Sequence, residues 1–508
     1  MSGGWILKNI GVNIEVESIL EQEEIPLLQS LLDYSNKDIA CFDVPGHVRD
    51  QGVEILNNYF GNRLMKMDIN SSHYMDNVSN PKGVIKEAQE LLAQAYQCDR
   101  AFFVTNGTTQ CIHAMILSVI NEGDKIILPR NIHKSAINAL ILSGGVPIYI
   151  QPEYYDDLGI SLNLSVKEVK RALDENPDAK ALFLLNPTYY GACTDLKEII
   201  RICHDKNVLV LVDEAHGAHF PFYDKLPPSA MECGADMSAV SIHKTGGALT
   251  QSSALLINSK NIDGNKVLQT LNMLQSTSAS YLLMSSIDGA RYNLVTNGQS
   301  QLSKALNLAR YAKAKINKIH GFKVISEEFM DRESVYFVDE TKLCINVKEL
   351  GITGYKVYEA LYKDYGVQVE LGDMYNILAL VSIGTTKDDI DKLIESLSEI
   401  SKNKSMEDMI CKETSQVNNS IKLKQIIPKV KLSPRKAFYS NKETISLDKS
   451  VNRICAECIM AYPPGIPIIS PGEIITEEIL DYIKLLKEKN AYLTDMQDKN
   501  LKSILVIK

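Results

Sequence analysis

Residues 208–219 read Val208-Leu-Val-Leu-Val-Asp213-Glu-Ala-His216-Gly-Ala-His219, an apolar run that ends in an acid and is followed by two histidines. Five consecutive aliphatic residues without polar alternation suit a strand buried on both faces, the kind found in parallel sheets covered by helices. A second apolar stretch, 237–241, runs into Ser241-Ile-His243-Lys244-Thr-Gly-Gly, which places a lysine among small residues after the next strand. In an open parallel sheet the carboxyl ends of the strands face one ligand crevice, so Asp213 and Lys244 are expected at the same edge. There an ionised Asp213 can pair with a protonated ring nitrogen. A partly desolvated Lys244 has a lowered pKa and a free amine able to form a Schiff base. Asp213 could equally cap a helix, and most lysines are simply exposed, so each reading needs the other.

Outward from this pair the same alternation continues. Strands are expected over 101–104, 125–128, 146–150, 181–185, 208–212 and 237–241, separated by helix-length segments. One helix is marked by Val84, Ile85, Ala88, Leu91, Leu92, Ala95 and Tyr96, which share a face at helical spacing. The fold class is therefore α/β with a mainly parallel sheet covered on both sides. After the strand near Phe103 comes Thr105-Asn-Gly-Thr-Thr-Gln110. A glycine with hydroxyl residues at a helix start offers free N–H groups and side-chain donors to a phosphate, although such loops also serve only as caps. From about Asn258 the pattern is helical to about Ile319, and a second strand-and-helix group runs from Ser334 to about Lys402. Residues 403–424 lack periodicity and suit a linker. A last unit of about 80 residues has rigid turns at Tyr462-Pro-Pro-Gly-Ile-Pro and Pro471-Gly-Glu, then a helix over 476–489. No internal repeat is visible.

Composition excludes several classes. A chain of 508 residues with 45% hydrophobic and 23% charged content can bury a large core, and no apolar run reaches the roughly 20 residues of a membrane span. No basic and apolar leader opens the chain, so a cytoplasmic location is the default. Ten cysteines scattered singly suit reduced thiols. Cys455 and Cys458 form a lone CxxC without a second ligand pair, so no metal is expected. The net charge of −9 argues against a broad nucleic-acid surface and is compatible with a cationic substrate.

Taken together, the phosphate-type loop, the strand-end acid and the lysine among glycines follow the order used by aspartate-aminotransferase-like enzymes that carry pyridoxal phosphate (PLP). The resemblance sharpens at Arg130-Asn-Ile-His133-Lys-Ser, Asn186-Pro-Thr-Tyr-Tyr-Gly191, Asp213-Glu-Ala-His216, Ser241-Ile-His-Lys-Thr-Gly-Gly, Tyr462-Pro-Pro-Gly-Ile-Pro and Pro471-Gly-Glu. From about Pro45 to the end these segments resemble the ornithine/lysine/arginine decarboxylase family, and within it the shorter arginine and lysine decarboxylases of Gram-positive bacteria. The resemblance implies a seven-stranded-type large-domain sheet, a small α/β domain and an extra C-terminal α+β domain. The units expected are an N-terminal arm (1–60), a PLP-binding large domain (61–305), a small domain (306–403), and a linker with the C-terminal domain (404–508).

The resemblance also implies roles. Lys244 would hold PLP as a Schiff base, Asp213 would meet its ring nitrogen, His133 would stack on the ring and His216 would line the site. Thr108, Thr109, Ser241 and His243 would hold the phosphate, with Thr277 reaching it across the interface of a homodimer or higher homo-oligomer. Lys244 or His243 would return a proton to the α-carbon. A basic amino acid needs a carboxylate to meet its side chain, for which Glu473 is the first candidate and Glu370 and Asp373 the next. Glu473 could instead be a helix N-terminal acid. Between Arg332 and Arg435 there is no arginine, so the strand-and-helix group expected from Ser334 to about Lys402 lacks the fork with which aminotransferases of this fold grip an α-carboxylate. That favours decarboxylation, of arginine to agmatine ahead of lysine or ornithine, then transamination, then a non-catalytic regulatory protein. Two departures bear on the substrate: Pro45-Gly-His47 is followed by Val48 where relatives have lysine, and a usual Asp-x-Thr-Glu segment reads Asp68-Ile-Asn-Ser71.

Overall fold

The computed structural model describes residues 22–70, 75–258, 261–403, 428–461, 465–488 and 491–508. The expected linker beyond residue 403, Ser71, and Tyr462-Pro-Pro lie outside the described residues. Helix α1 (Pro26–Ser35) is fastened to the body by Asp288, which accepts from the backbone N–H groups of Leu27 and Leu28 and is paired with the buried Arg291.

Seven strands form the main sheet: β1 (Arg100–Val104), β2 (Lys125–Pro129), β3 (Val146–Ile150), β4 (Ala181–Leu185), β5 (Leu209–Asp213), β6 (Met237–Val240) and β7 (Ser253–Ile257). Their order is β1-β7-β6-β5-β4-β2-β3, with β7 antiparallel to both neighbours and every other pairing parallel. The six strands expected from sequence are present. The seventh, Ser253-Ala-Leu-Leu-Ile257, is not among them: only four apolar residues follow the serine, and Ala-Leu-Leu favours helix over strand. Helices α2 (Val84–Ala95), α5 (Val166–Glu175), α6 (Leu196–His204) and the first turns of α8 (Tyr281–Ile316) cover one face. Helices α3 (Gly107–Val119), α4 (Lys134–Ser143) and α7 (Gly264–Leu274) cover the other. Burial on both faces is why β4 and β5 read as unbroken apolar runs.

The 36-residue α8 continues into the second unit, so the boundary expected at 305/306 falls inside a helix. That unit has four antiparallel strands, β8 (Lys323–Ile325), β9 (Lys342–Asn346), β10 (Leu371–Gly372) and β11 (Asn376–Leu380), in the order β8-β9-β11-β10. It packs on the end of α8, α9 (Gly354–Tyr365) and α10 (Lys387–Lys402). It begins before Ser334, because β8 is three residues long with an exposed lysine at its start and gives too short a signal.

A third core gathers around α11 (Glu477–Glu488), close to the expected 476–489. Its strands are β12 (Lys442–Ser446) paired with β16 (Ser503–Ile507), and β13 (Ile459–Ala461) set between β14 (Ile466–Ile469) and β15 (Leu493–Thr494). Mixed strands and a helix make it α+β. Among the described residues no helix is long and apolar enough to cross a membrane.

Candidate active site

A cavity of about 520 Å³ opens at the carboxyl ends of the parallel strands. Four strand ends deliver its floor: Arg130 follows β2, Leu185 ends β4, Asp213 ends β5 and Ser241 follows β6. Walls from the two other units, among them Glu370 and Tyr482, close it.

Asp213 is buried, with one oxygen accepting from the Ala215 N–H at 3.2 Å. Burial pushes its carboxyl up to about 6, against the opposing pull of the Lys244 charge. Its neighbour Glu214 faces the other way, since successive strand residues alternate, and accepts from Ala230 N and Ser238 Oγ at 2.8 Å each. Lys244 lines the cavity and is exposed. The surrounding protein lowers its pKa, with Asp213 and Glu370 working in the opposite direction. Its Nζ lies 2.9 Å from His216 Nε2. Burial also holds His216 well below the usual histidine value. His133 is held at about 4, by burial and then by the Lys244 charge, so its ring is neutral at pH 7. The Ser135 N–H donates to His133 Nδ1, which leaves the hydrogen on Nε2.

At the other end of the cavity stands the N-terminus of α3. Gly107 opens it at φ +72°, a left-handed backbone that glycine adopts without strain, and no side chain caps the helix. Gly107, Thr108 and Thr109 all line the cavity. Thr108 Oγ1 is bonded to the Ser241 and Ser253 hydroxyls, so β6, β7 and α3 hold these donors together. His243 donates from Nδ1 to the Ser252 carbonyl at 2.9 Å, leaving Nε2 as an acceptor.

The structure thus brings Thr108, Thr109, His133, Asp213, His216, Ser241, His243, Lys244, Glu370 and Asp373 to one cavity. Two of the three expected substrate carboxylates are otherwise engaged. Glu473 does not line the cavity. It is 1% exposed, its Oε1 pairs with Arg130 Nη1 at 2.8 Å, and its Oε2 accepts from Arg130 Nη2 at 2.9 Å and Ser470 N at 2.7 Å. That acid is already neutralised and cannot serve a substrate cation. Asp373 faces the cavity, but its oxygens accept from the Tyr190 hydroxyl, the Tyr375 and Asn376 N–H groups and the Asn376 side chain, which fixes the turn before β11. Glu370 is different: exposed, it accepts from the Tyr189 hydroxyl at 2.5 Å. Thr277 is exposed and does not line the cavity of its own chain.

Arg130 and Tyr189 stand in motifs that assign them no role. Tyr189 packs its ring edge-on against His216, centroids 4.4 Å apart, and stands 5.9 Å from Lys244 Nζ. Lys342 belongs to no motif, and its Nζ is 3.3 Å from His216 Nδ1. A lysine heading the run Leu-Cys-Ile-Asn-Val carries no sign of its burial.

A pyridine ring with a phosphate arm fits what is present. The second Asp213 oxygen makes no bond among the described residues, and the uncapped α3 terminus with its hydroxyls meets a phosphate's needs.

Known proteins with this architecture narrow the matter. The structure superposes on lysine decarboxylase A from Pseudomonas aeruginosa with a TM-score of 0.85, over 97% of this chain and 81% of that one. An alanine–glyoxylate aminotransferase from Nostoc sp. aligns with a TM-score of 0.51 over 64% and 88%. At 20% and 17% identity these two likenesses speak for the fold alone. An arginine decarboxylase from Bacillus subtilis is 42% identical over 490 residues, 96% of this chain and 99% of its own. Residues 25–389 match the Orn/Lys/Arg decarboxylase major domain and residues 416–494 match the C-terminal domain of the same family. Both halves of the match fall on the units that enclose the Lys244 cavity, and the chain belongs to the Orn/Lys/Arg decarboxylase family.

Proposed function

We propose that this protein removes the α-carboxyl group of arginine as carbon dioxide, leaving agmatine, with pyridoxal phosphate as its resident cofactor. The observation that carries the reading is the delivery of Lys244 and Asp213, from adjacent strand ends, into one cavity that also holds the uncapped start of α3. When bound, pyridoxal phosphate supplies an electron sink for whichever bond at the substrate's α-carbon stands perpendicular to its ring. Lys244 offers the amine that tethers it. Asp213 would keep a proton on the ring nitrogen, His133 would stack on the ring, and Thr108, Thr109 and Ser241 would hold the phosphate, to which His243 offers a donor only when its Nε2 is protonated. His216 orients the Lys244 amine. Lys244 would return a proton to the α-carbon once carbon dioxide has left, since the one hydrogen of neutral His243 is engaged by the Ser252 carbonyl.

Which bond breaks depends on how the carboxylate is held. Arg130 is the one arginine among the described residues lining the cavity, and Glu473 occupies its guanidinium. No fork therefore grips the α-carboxylate, which supports its departure over transamination. For the side chain, Tyr154, Tyr355, Tyr482 and Ile468 offer a wall that covers aliphatic carbons, and Glu370 offers the anion for a guanidinium. The arginine decarboxylase named above is a far nearer relative than the lysine decarboxylase, and this supports arginine over lysine.

Carboxyl-labelled arginine, lysine and ornithine, assayed in parallel for trapped gas, test the reading. Label should be released fastest from arginine; keto-acid formation without gas would reject decarboxylation, and faster release from lysine would reject the substrate. Glu370→Gln is expected to raise the KM for arginine about tenfold to a hundredfold, with a smaller change in kcat, because a charge-assisted hydrogen bond is worth about 1.5–3 kcal/mol. An unchanged KM would remove Glu370 from the substrate site. A homo-oligomer belongs to the same reading, since Thr277 would have to reach the phosphate of a second copy. So does a cytoplasmic location, which free cysteines support.

A further inference from the structure

Behind the cavity, three side chains form a line of nitrogens. Lys244 Nζ is 2.9 Å from His216 Nε2, and the opposite ring nitrogen, His216 Nδ1, is 3.3 Å from Lys342 Nζ. Lys342 heads β9 yet is only 2% exposed. Beside it, Asp339 is fully buried, pairs with His219 at 3.3 Å and accepts from the Thr341 hydroxyl. The backbone makes room for this arrangement. Gly191 sits at φ +93°, and a Cβ there would stand 2.9 Å from the Asp339 carbonyl oxygen and 3.1 Å from Lys342 Cδ.

We infer that Lys342 is a positioning residue for Lys244: through His216 it confines the two lysines to a single ammonium ion, carried by Lys342, and so keeps Lys244 a free amine. The inference holds only if Lys244 is the reactive amine proposed above. The reason lies in hydrogen-bond capacity. An ammonium only donates, and a neutral imidazole has one N–H and one lone pair. With Lys342 charged, Nδ1 must accept, Nε2 carries the hydrogen, and Lys244 Nζ must accept it, which only an uncharged amine can do. With Lys244 charged instead, the tautomer reverses and Lys342 must be neutral. Two ammonium ions would demand an imidazole with no hydrogen at all.

The counter-ions decide between the two arrangements. Burial would raise the Asp339 carboxyl, but His219 and Lys342 beside it hold it down at about 2, so Lys342 keeps a permanent anion. On the Lys244 side the counter-ion is Asp213, whose carboxyl burial pushes up to about 6, so its charge is held less firmly than that of Asp339. Glu370 acts on both lysines alike. Of the other groups facing Lys342, the Cys193 thiol is raised by burial and stays neutral. His133 and His243 on the Lys244 side have lowered pKa values, through burial first, and add no charge at pH 7. Burial lowers both ammonium groups from the ordinary lysine value, and the Lys244 charge also lowers that of Lys342.

Trace acetylation tests this. The full-length protein, freed of cofactor with hydroxylamine, is labelled with acetic anhydride across a range of pH, and modification of Lys244 is read by mass spectrometry of its peptide. In the wild type Lys244 should titrate below the ordinary lysine range. In Lys342→Met and Lys342→Gln its midpoint should rise by about one pH unit or more as a like charge is lost, and Lys342→Arg should keep it low. An unchanged midpoint in the folded neutral variants overturns the inference and leaves the assignment of Lys244 standing. A wild-type Lys244 that titrates like an exposed lysine overturns that assignment instead. Should neither neutral variant fold, the wild type suffices. Its His216 nitrogen-15 resonances, identified by their loss in His216→Gln, should show the Nε2–H tautomer at mildly alkaline pH, and the Nδ1–H tautomer would overturn the inference.

Discussion

Replacing Lys244 by alanine should lower carbon dioxide release from arginine by about 10⁴-fold or more, because an activated amine nucleophile is removed outright and no neighbour can replace it. Among the described side chains lining the cavity, Lys244 is the one primary amine. Lys342 does not line it and is held behind His216. The same change should abolish the visible absorption of a lysine-bound cofactor while leaving the fold intact. Lys244 is hydrogen-bonded to a single side chain, His216, among the described residues, and burial already disfavours its charge, so thermal unfolding should move little. A folded Lys244→Ala protein that retains a tenth of the wild-type rate would contradict the role assigned to this amine.

Arg130→Ala should destabilise the protein by about 3–5 kcal/mol, the cost of leaving one member of a buried ion pair without its partner. Arg130 follows β2 of the large sheet and Glu473 belongs to the C-terminal unit, so the pair, 6% and 1% exposed, also joins those two units. Burial raises the Glu473 carboxyl, and the Arg130 charge is the main influence pulling it back down. Without Arg130 the folded pKa rises further above the unfolded value near 4.5. A carboxyl raised on folding binds its proton more tightly in the folded state, so stability falls as pH rises through the interval between those two values. The deficit of Arg130→Ala should therefore be smallest near about pH 4.5 and grow towards neutrality. Replacing both partners by apolar residues, Arg130→Met with Glu473→Leu, should recover most of the loss. Denaturant unfolding across pH measures this, and a deficit below about 1 kcal/mol at pH 7 would show that the pair is not the tie described.

The β5 run and its acid were legible because burial on both faces leaves only aliphatic residues, and because a strand end next to a crevice is a predictable place for chemistry. The direction of the next acid comes from the structure: Asp213 faces the cavity, whereas Glu214 is turned back onto Ser238. Strand β7 was hidden, since its four apolar residues, Ala-Leu-Leu-Ile, lean towards helix, and yet its Ser253 hydroxyl helps to hold Thr108. Partnerships across long stretches of chain were the least legible. A Pro-Gly-Glu turn gives no hint that Glu473 is claimed by an arginine 343 residues away, and a lysine beside a strand looks exposed until Gly191 makes room for it beneath His216. Side-chain chemistry was readable where secondary structure dictated direction, and unreadable where only packing did.

Borohydride reduction of the purified holoprotein, followed by peptide mapping, bears most directly on the central assignment. The reduced pyridoxyl group should be found on the peptide that carries Lys244, and be lost from that position in Lys244→Ala. A reduced adduct on any other lysine, or none at all in protein that releases carbon dioxide from arginine, would contradict it.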